Sequence, residues 1–282
     1  MLKIFSDTCT LYAPAEAAAI GLTVAPLQLV CGEDSWLDYI EAQQQDCLDL
    51  IAQAKIPSSS QPPIGTVVDN YNADPSAEII NVTLAHGLSG TYESACLART
   101  MAENPQRIHV VNSQSIAGPQ RYMAEMAARM AAAGESVKNV LAKLDYVINN
   151  TDSYLVVDDF DFLRRGGRLS PLVAYIGKTI KMAPAVKLSE DGKRLDMFTV
   201  KRTISKAFEA IAKDMQKVGA DAAGCKFYVG HANVPKRAEQ AVAALKDLFG
   251  ENIDLEVLQL SPVCIAQGGP GCVSMHYIRK VD

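Results

Sequence analysis

Apolar positions in the first half of the chain follow two rhythms. Short apolar runs at Leu2 to Phe5, Thr23 to Val30, Glu78 to Leu84 and Ile108 to Val111 have the length and composition of strands. Between them, helical spacing recurs at Pro14 to Ala19, Trp36 to Ala54, Thr91 to Ala102 and Gln120 to Ala133, the last stopped by Gly134. This alternation predicts an α/β fold with a parallel sheet and helices on both its faces.

The rhythm changes near residue 150. A helix over Ser136 to Asn149 leads into a strand at Tyr154 to Val157, and Ala183 to Leu188 faces Arg194 to Lys201 across Asp191-Gly192, a hairpin turn signal. Helices at Thr203 to Val218 and Pro235 to Phe249 flank a strand at Lys226 to Gly230, and Ile253 to Leu258 and Val273 to Ile278 close the pattern. Two domains are expected, 1–150 and 151–282, the second an α/β domain with antiparallel pairing.

A chain of 282 residues with 49% hydrophobic residues can bury a large core without a metal or disulfide. A net charge of -5 disfavours broad contact with a phosphate backbone, so no nucleic-acid partner is expected. The start of the sequence lacks the pattern of a secretory leader, and the apolar stretch from Ala17 to Cys31 is broken by Gly21, Pro26 and Gln28. A soluble, cytoplasmic protein is the expectation. The seven cysteines contain no C-x-x-C and read as buried free thiols, and no Cys/His spacing suits a metal.

Four segments carry candidate chemistry. Ser58 to Pro63 reads as a hydroxyl-rich turn ahead of a helix, where serines either cap the helix or bind an anion. Ala85 to Glu93, with Ser89, Gly90 and Thr91 between a strand and a helix, forms a small anion cradle or a simple cap, and it matches neither a phosphate-binding loop nor a nucleophile elbow. Phe162 to Ser189 holds six basic residues (Arg164, Arg165, Arg168, Lys178, Lys181, Lys187) and no acidic one, which suits either a solvated face or docking of an anionic group. Gln267 to Gly271 reads as a tight loop before the last strand, with the Gln267 amide free to donate.

In content and order these segments resemble the DegV family. The family's S-D-S-T, T-S-Q-P-S, S-G-T-Y, V-D-S, K-G-G-R and H-x-G-P-G elements have counterparts in Ser6-Asp7-Thr8, Ser59-Ser60-Gln61-Pro62-Pro63, Ser89-Gly90-Thr91-Tyr92, Val111-Asn112-Ser113, Arg165-Gly166-Gly167-Arg168 and Gln267-Gly268-Gly269-Pro270-Gly271. The resemblance implies a two-domain fold that holds one long-chain fatty acid between the domains, with no further cofactor. It places the carboxylate at Ser59, Ser60, Ser89, Gly90, Thr91, Gln267 and Gly268. It also implies a non-catalytic carrier in phospholipid metabolism, serving the catalytic subunit of a separate fatty-acid kinase that makes acyl-phosphate. Arg164, Arg165 and Arg168 would dock that partner or attract the phosphorylated head, and transient contact with a membrane surface is compatible with the role.

Two departures bear on that expectation. Gln267 stands where the family has histidine, so a neutral hydrogen bond is retained while proton transfer is lost, and Asn112 replaces an aspartate. Burial of about fourteen methylenes at roughly 0.8 kcal/mol each would contribute about 11 kcal/mol before ordering costs. The alternatives are a binder of another anionic amphiphile and a serine-dependent acyl or phosphoryl transferase using Ser89.

Overall fold

The computed structural model describes residues 1–171 and 182–281. In chain order its first half comprises β1 (Leu2–Asp7), α1 (Pro14–Ala19), β2 (Leu22–Ala25), β3 (Gln28–Cys31), β4 (Asp34–Leu37), α2 (Gln44–Ala52), β5 (Ser58–Ser60), α3 (Ile64–Asn72), β6 (Glu78–Thr83), α4 (Thr91–Met101), β7 (Ile108–Asn112), α5 (Gly118–Ala132) and α6 (Val137–Ile148). The second half comprises β8 (Thr151–Val156), α7 (Phe160–Gly166), β9 (Ala183–Leu188), β10 (Leu195–Lys201), α8 (Ile204–Lys217), β11 (Cys225–His231), α9 (Pro235–Phe249), β12 (Asp254–Gln259), α10 (Pro262–Gly268) and β13 (Val273–Arg279).

Among the described residues the strands form three sheets. The first, in the order β2-β1-β6-β7, is parallel throughout. The second, β10-β9-β8-β13-β11-β12, is antiparallel except for β11 with β12, which α9 connects. The predicted hairpin forms between β9 and β10, with Gly192 at φ 67° in its turn. Both layers of the α/β expectation are therefore present.

The third sheet, β4-β3-β5, was not expected. The strand predicted over Thr23 to Val30 breaks at Pro26, which has no N–H to give a ladder, and its second part leaves the parallel sheet as β3. The helix predicted from Trp36 begins only at Gln44, because residues Asp34–Leu37 pair with β3 instead. Ser58–Ser60 is likewise a strand on the other side of β3, and α3 starts behind Pro63 without a side-chain cap. Backbone pairing across the small sheet outweighed local capping preference at both places.

Each face of the six-stranded sheet has its own task. Tyr154, Phe227, Val229 and Met275 point to α8 and α9 and form a core with Phe208, Ile211 and Leu245. The opposite face meets the first half of the chain, where Tyr228 packs among α5 side chains. A Cβ at Gly118 of α5 would lie 2.4 Å from the Tyr228 ring, so this close helix-sheet approach needs glycine. A further core joins Leu27 and Leu29 of the small sheet region to Leu163, Val263 and Ile265 of α7 and α10.

Candidate functional site

The Ser6-Asp7-Thr8 motif ties the parallel sheet to the loops after it. Asp7 Oδ1 accepts from Cys9 N at 3.0 Å and Oδ2 from Leu84 N at 2.9 Å, while Thr8 Oγ1 accepts from Leu27 N at 3.1 Å. Burial pushes the Asp7 carboxyl up to about 6. Asn112 acts similarly on the next loop: its Oδ1 accepts from the backbone of His86 at 3.2 Å and Gln114 at 3.1 Å, and its amide lies 2.9 Å from His86 Nδ1. These residues shape the site and do not line it.

The loop that Asn112 holds delivers Ser89. Ser89 Oγ lies 2.8 Å from Thr91 Oγ1 and accepts from Thr91 N at 3.3 Å, at the start of α4. Thr91 is buried behind Ser89, and Gly90 abuts Gln61: a Cβ at Gly90 would lie 2.4 Å from Gln61 Oε1. On β5, Ser59 turns inward opposite Leu29, and by strand alternation Ser60 points the other way, opposite Gln28.

Gln267 is not in a loop. It occupies the last turn of α10, which Ser261 caps by accepting from Cys264 N at 3.4 Å and Pro262 opens. That Ser-Pro pair is a helix-start signal that the sequence reading passed over. From this helix end Gln267 Nε2 donates to Ser59 Oγ at 3.1 Å. Its amide oxygen lies against Gly166, where a Cβ would sit 2.2 Å away. The two glycines of Arg165-Gly166-Gly167-Arg168 thus have different reasons: Gly166 admits Gln267, and Gly167 ends α7 at φ 70°.

The three arginines part company. Arg164 pairs with Asp161 at 2.7 Å, and Arg165 lies over the Phe162 ring at 4.6 Å. Arg168 turns inward, donating from Nε to Leu88 O at 2.9 Å and from its terminal nitrogen to Gly166 O, and desolvation lowers its pKa. Arg164 and Arg165 are thus exposed, whereas Arg168 faces the cavity. Lys187 pairs with Asp152 at 3.0 Å and Asp214 at 3.4 Å, while Lys178 and Lys181 lie outside the described residues.

Ser59, Ser89, Arg168, Gln267 and Gly268 line one narrow cavity of about 110 Å³. Its wall is mostly apolar and comes from both halves: Leu27, Leu84 and Ile116 from one, Leu155, Leu163, Leu188, Leu195 and Val263 from the other. The four polar side chains are half-buried, as are Ile116, Leu155 and Leu195 of the wall, while Leu27, Leu84, Leu163, Leu188 and Val263 are buried. Cys9 and Cys264 also line it, and hydrogen bonding with Cys264, together with burial, holds the Cys9 thiol well above its usual range. Such a thiol is a poor nucleophile.

No helix among the described residues is long and apolar enough to cross a membrane, and no described group of His, Cys, Asp or Glu side chains could hold a metal ion. Four cysteines are buried and three half-buried, all free. The sequence profile of the DegV family, described as "uncharacterised protein, DegV family", matches residues 1–280.

The chain belongs to the DegV family. A DegV domain-containing protein of Halalkalibacterium halodurans is 28% identical over 284 residues, 99% of either chain. The DegV structure from Bacillus subtilis, described as a fatty acid binding protein, superposes with a TM-score of 0.82 at 27% identity and 99% coverage of both chains. The DegV family protein from Thermus thermophilus, whose structure is described as showing fatty acid binding, has a TM-score of 0.85 at 23% identity and 99% coverage of both. Both of these proteins are described as binding fatty acids, and this chain shares their fold over nearly its whole length.

Proposed function

We propose that this protein is a non-catalytic carrier of one long-chain fatty acid, whose carboxylate is held by Ser59, Ser89, Arg168 and Gln267. The observation that carries this reading is the meeting of two hydroxyls, an amide and a guanidinium on one apolar cavity built from both halves of the chain. A carboxylate entering protein without partners would lose several kcal/mol, and such donors offset that loss. The tail supplies the affinity by leaving water.

Presentation of the acid to a separate fatty-acid kinase is supported by the half-buried position of this cluster, whose side chains keep some contact with solvent. Against a Ser89 nucleophile stands its hydrogen bonding: its partners are the hydroxyl and N–H of Thr91, neither of which is a general base. Mass spectrometry of the intact protein, before and after denaturation, tests the reading. One fatty acid per chain is expected, and adding the kinase subunit with ATP should yield acyl-phosphate only when the carrier is present. A protein that retains no acyl lipid, even after incubation with fatty acids, would rule the reading out.

A further inference from the structure

The cavity has a second polar region, on the sheet rather than on the loops. Ser274 and His276 of β13 point to one face, the face that also carries Ser153 and Leu155 of β8, because Ser274 pairs with Leu155 and His276 with Ser153. All four line the cavity. Ser274 is 5% exposed and His276 2%, so this region is far more enclosed than the Ser59 and Gln267 cluster. Gly230 of β11 leaves Ser274 its room: a Cβ there would lie 2.5 Å from Ser274 Oγ.

His276 is held from one side only. Its Nδ1 lies 2.8 Å from Ser153 Oγ, which in turn lies 3.2 Å from Ser115 Oγ. His276 Nε2 and Ser274 Oγ have no hydrogen-bond partner among the described residues. Buried polar atoms are normally paired, and two unpaired ones on residues that line a binding cavity mark where a ligand's own polar atom belongs. Burial pushes His276 down to about 3, so the ring is neutral and does not favour a second carboxylate. A hydroxyl both donates and accepts, so it matches either ring tautomer and the serine beside it.

We infer that the ligand is a hydroxylated fatty acid, and that Ser274 and His276 are specificity-determining residues that bond a hydroxyl within its tail. The inference rests on the fatty-acid reading. It also places the hydroxyl away from the carboxylate. Gly268, next to Gln267, abuts Leu155, with a Cβ there 3.7 Å from Leu155 Cδ2. Ser274 shares Leu155's rung and the rung of His276 and Ser153 lies two residues farther along the strands, roughly 7 Å, so a hydroxyl between the two side chains sits on the far side of Leu155 from Gly268.

The test is competition binding of the parent saturated acid against a series of hydroxy acids of the same length, differing only in hydroxyl position. One mid-chain isomer should bind roughly tenfold more tightly than the parent acid. Ser274→Ala and His276→Leu should remove that preference while the parent acid still binds, and thermal unfolding would confirm that both variants are folded. The wild-type positional preference stands as evidence even if one variant fails to fold. If the parent acid binds and every hydroxy acid binds more weakly, or the preference survives both substitutions, the inference is overturned and the fatty-acid reading stands. Should neither the parent nor any hydroxy acid bind, both fall.

Discussion

The polar cluster of Ser59, Ser89, Arg168 and Gln267 and the apolar wall beyond it belong to one cavity but are built by opposite means. The cluster stands on an edge strand, a helix start and two helix ends, each side chain half-buried. The wall combines loop positions of the first half (Leu27, Leu84, Ile116) with strand and helix positions of the second (Leu155, Leu163, Leu188, Leu195, Val263), and all but Leu188 lie in or against one apolar core. The difference teaches a division of work: the wall governs how tightly a tail is held, and the cluster governs which head group is tolerated and how it is turned.

That division can be broken most sharply at the tail. An acid about four methylenes shorter should bind roughly two-hundredfold more weakly, since each methylene contributes about 0.8 kcal/mol; equal binding by isothermal titration would show that the wall does not set affinity. Next in size is Arg168→Gln, which removes a charge-assisted bond and should weaken binding about tenfold or more, with less dependence on salt. A smaller effect, about fivefold, is expected for Gln267→Ala from one neutral hydrogen bond, with Gln267→His binding nearly as well as the wild type. If Gln267→Ala instead outweighs Arg168→Gln in the same titrations, the guanidinium is not the main head-group partner.

The smallest effect on affinity, and a distinct one on stability, concerns Asp38. Burial pushes its carboxyl up to about 7, with the hydroxyls of Thr8 and Ser261 and the backbone of Val263 pulling the other way. A raised folded pKa means that the folded state holds its proton more tightly than the unfolded one. The contribution is then complete below about pH 4 and is lost as pH rises through about 7. Asp38→Asn should therefore gain thermal stability relative to the wild type as pH rises from about 5 to about 8, by several degrees in Tm. A Tm difference that is constant with pH would remove Asp38 as the titrating group.

The parts legible in the sequence are those set by local chemistry. The apolar run of β6 and the Asp191-Gly192 turn announced a parallel strand and a hairpin without help from distant residues. Ser89 and Gln267 were legible as donors through their motifs. What escaped depended on partners far away: β5 exists because β3 lies beside it, about thirty residues earlier in the chain. Arg168 could not be told from Arg164 and Arg165 until its guanidinium met Leu88 across the cavity, and His276 reads in sequence as an ordinary position in a strand.

A crystal structure of the protein loaded with a long-chain fatty acid tests the central claim most directly. The carboxylate should lie within hydrogen-bond distance of Ser89, Arg168 and Gln267, with the tail running between Leu84 and Leu155 toward His276. A carboxylate bound elsewhere, or a tail lying outside the space between the two large sheets, would contradict it.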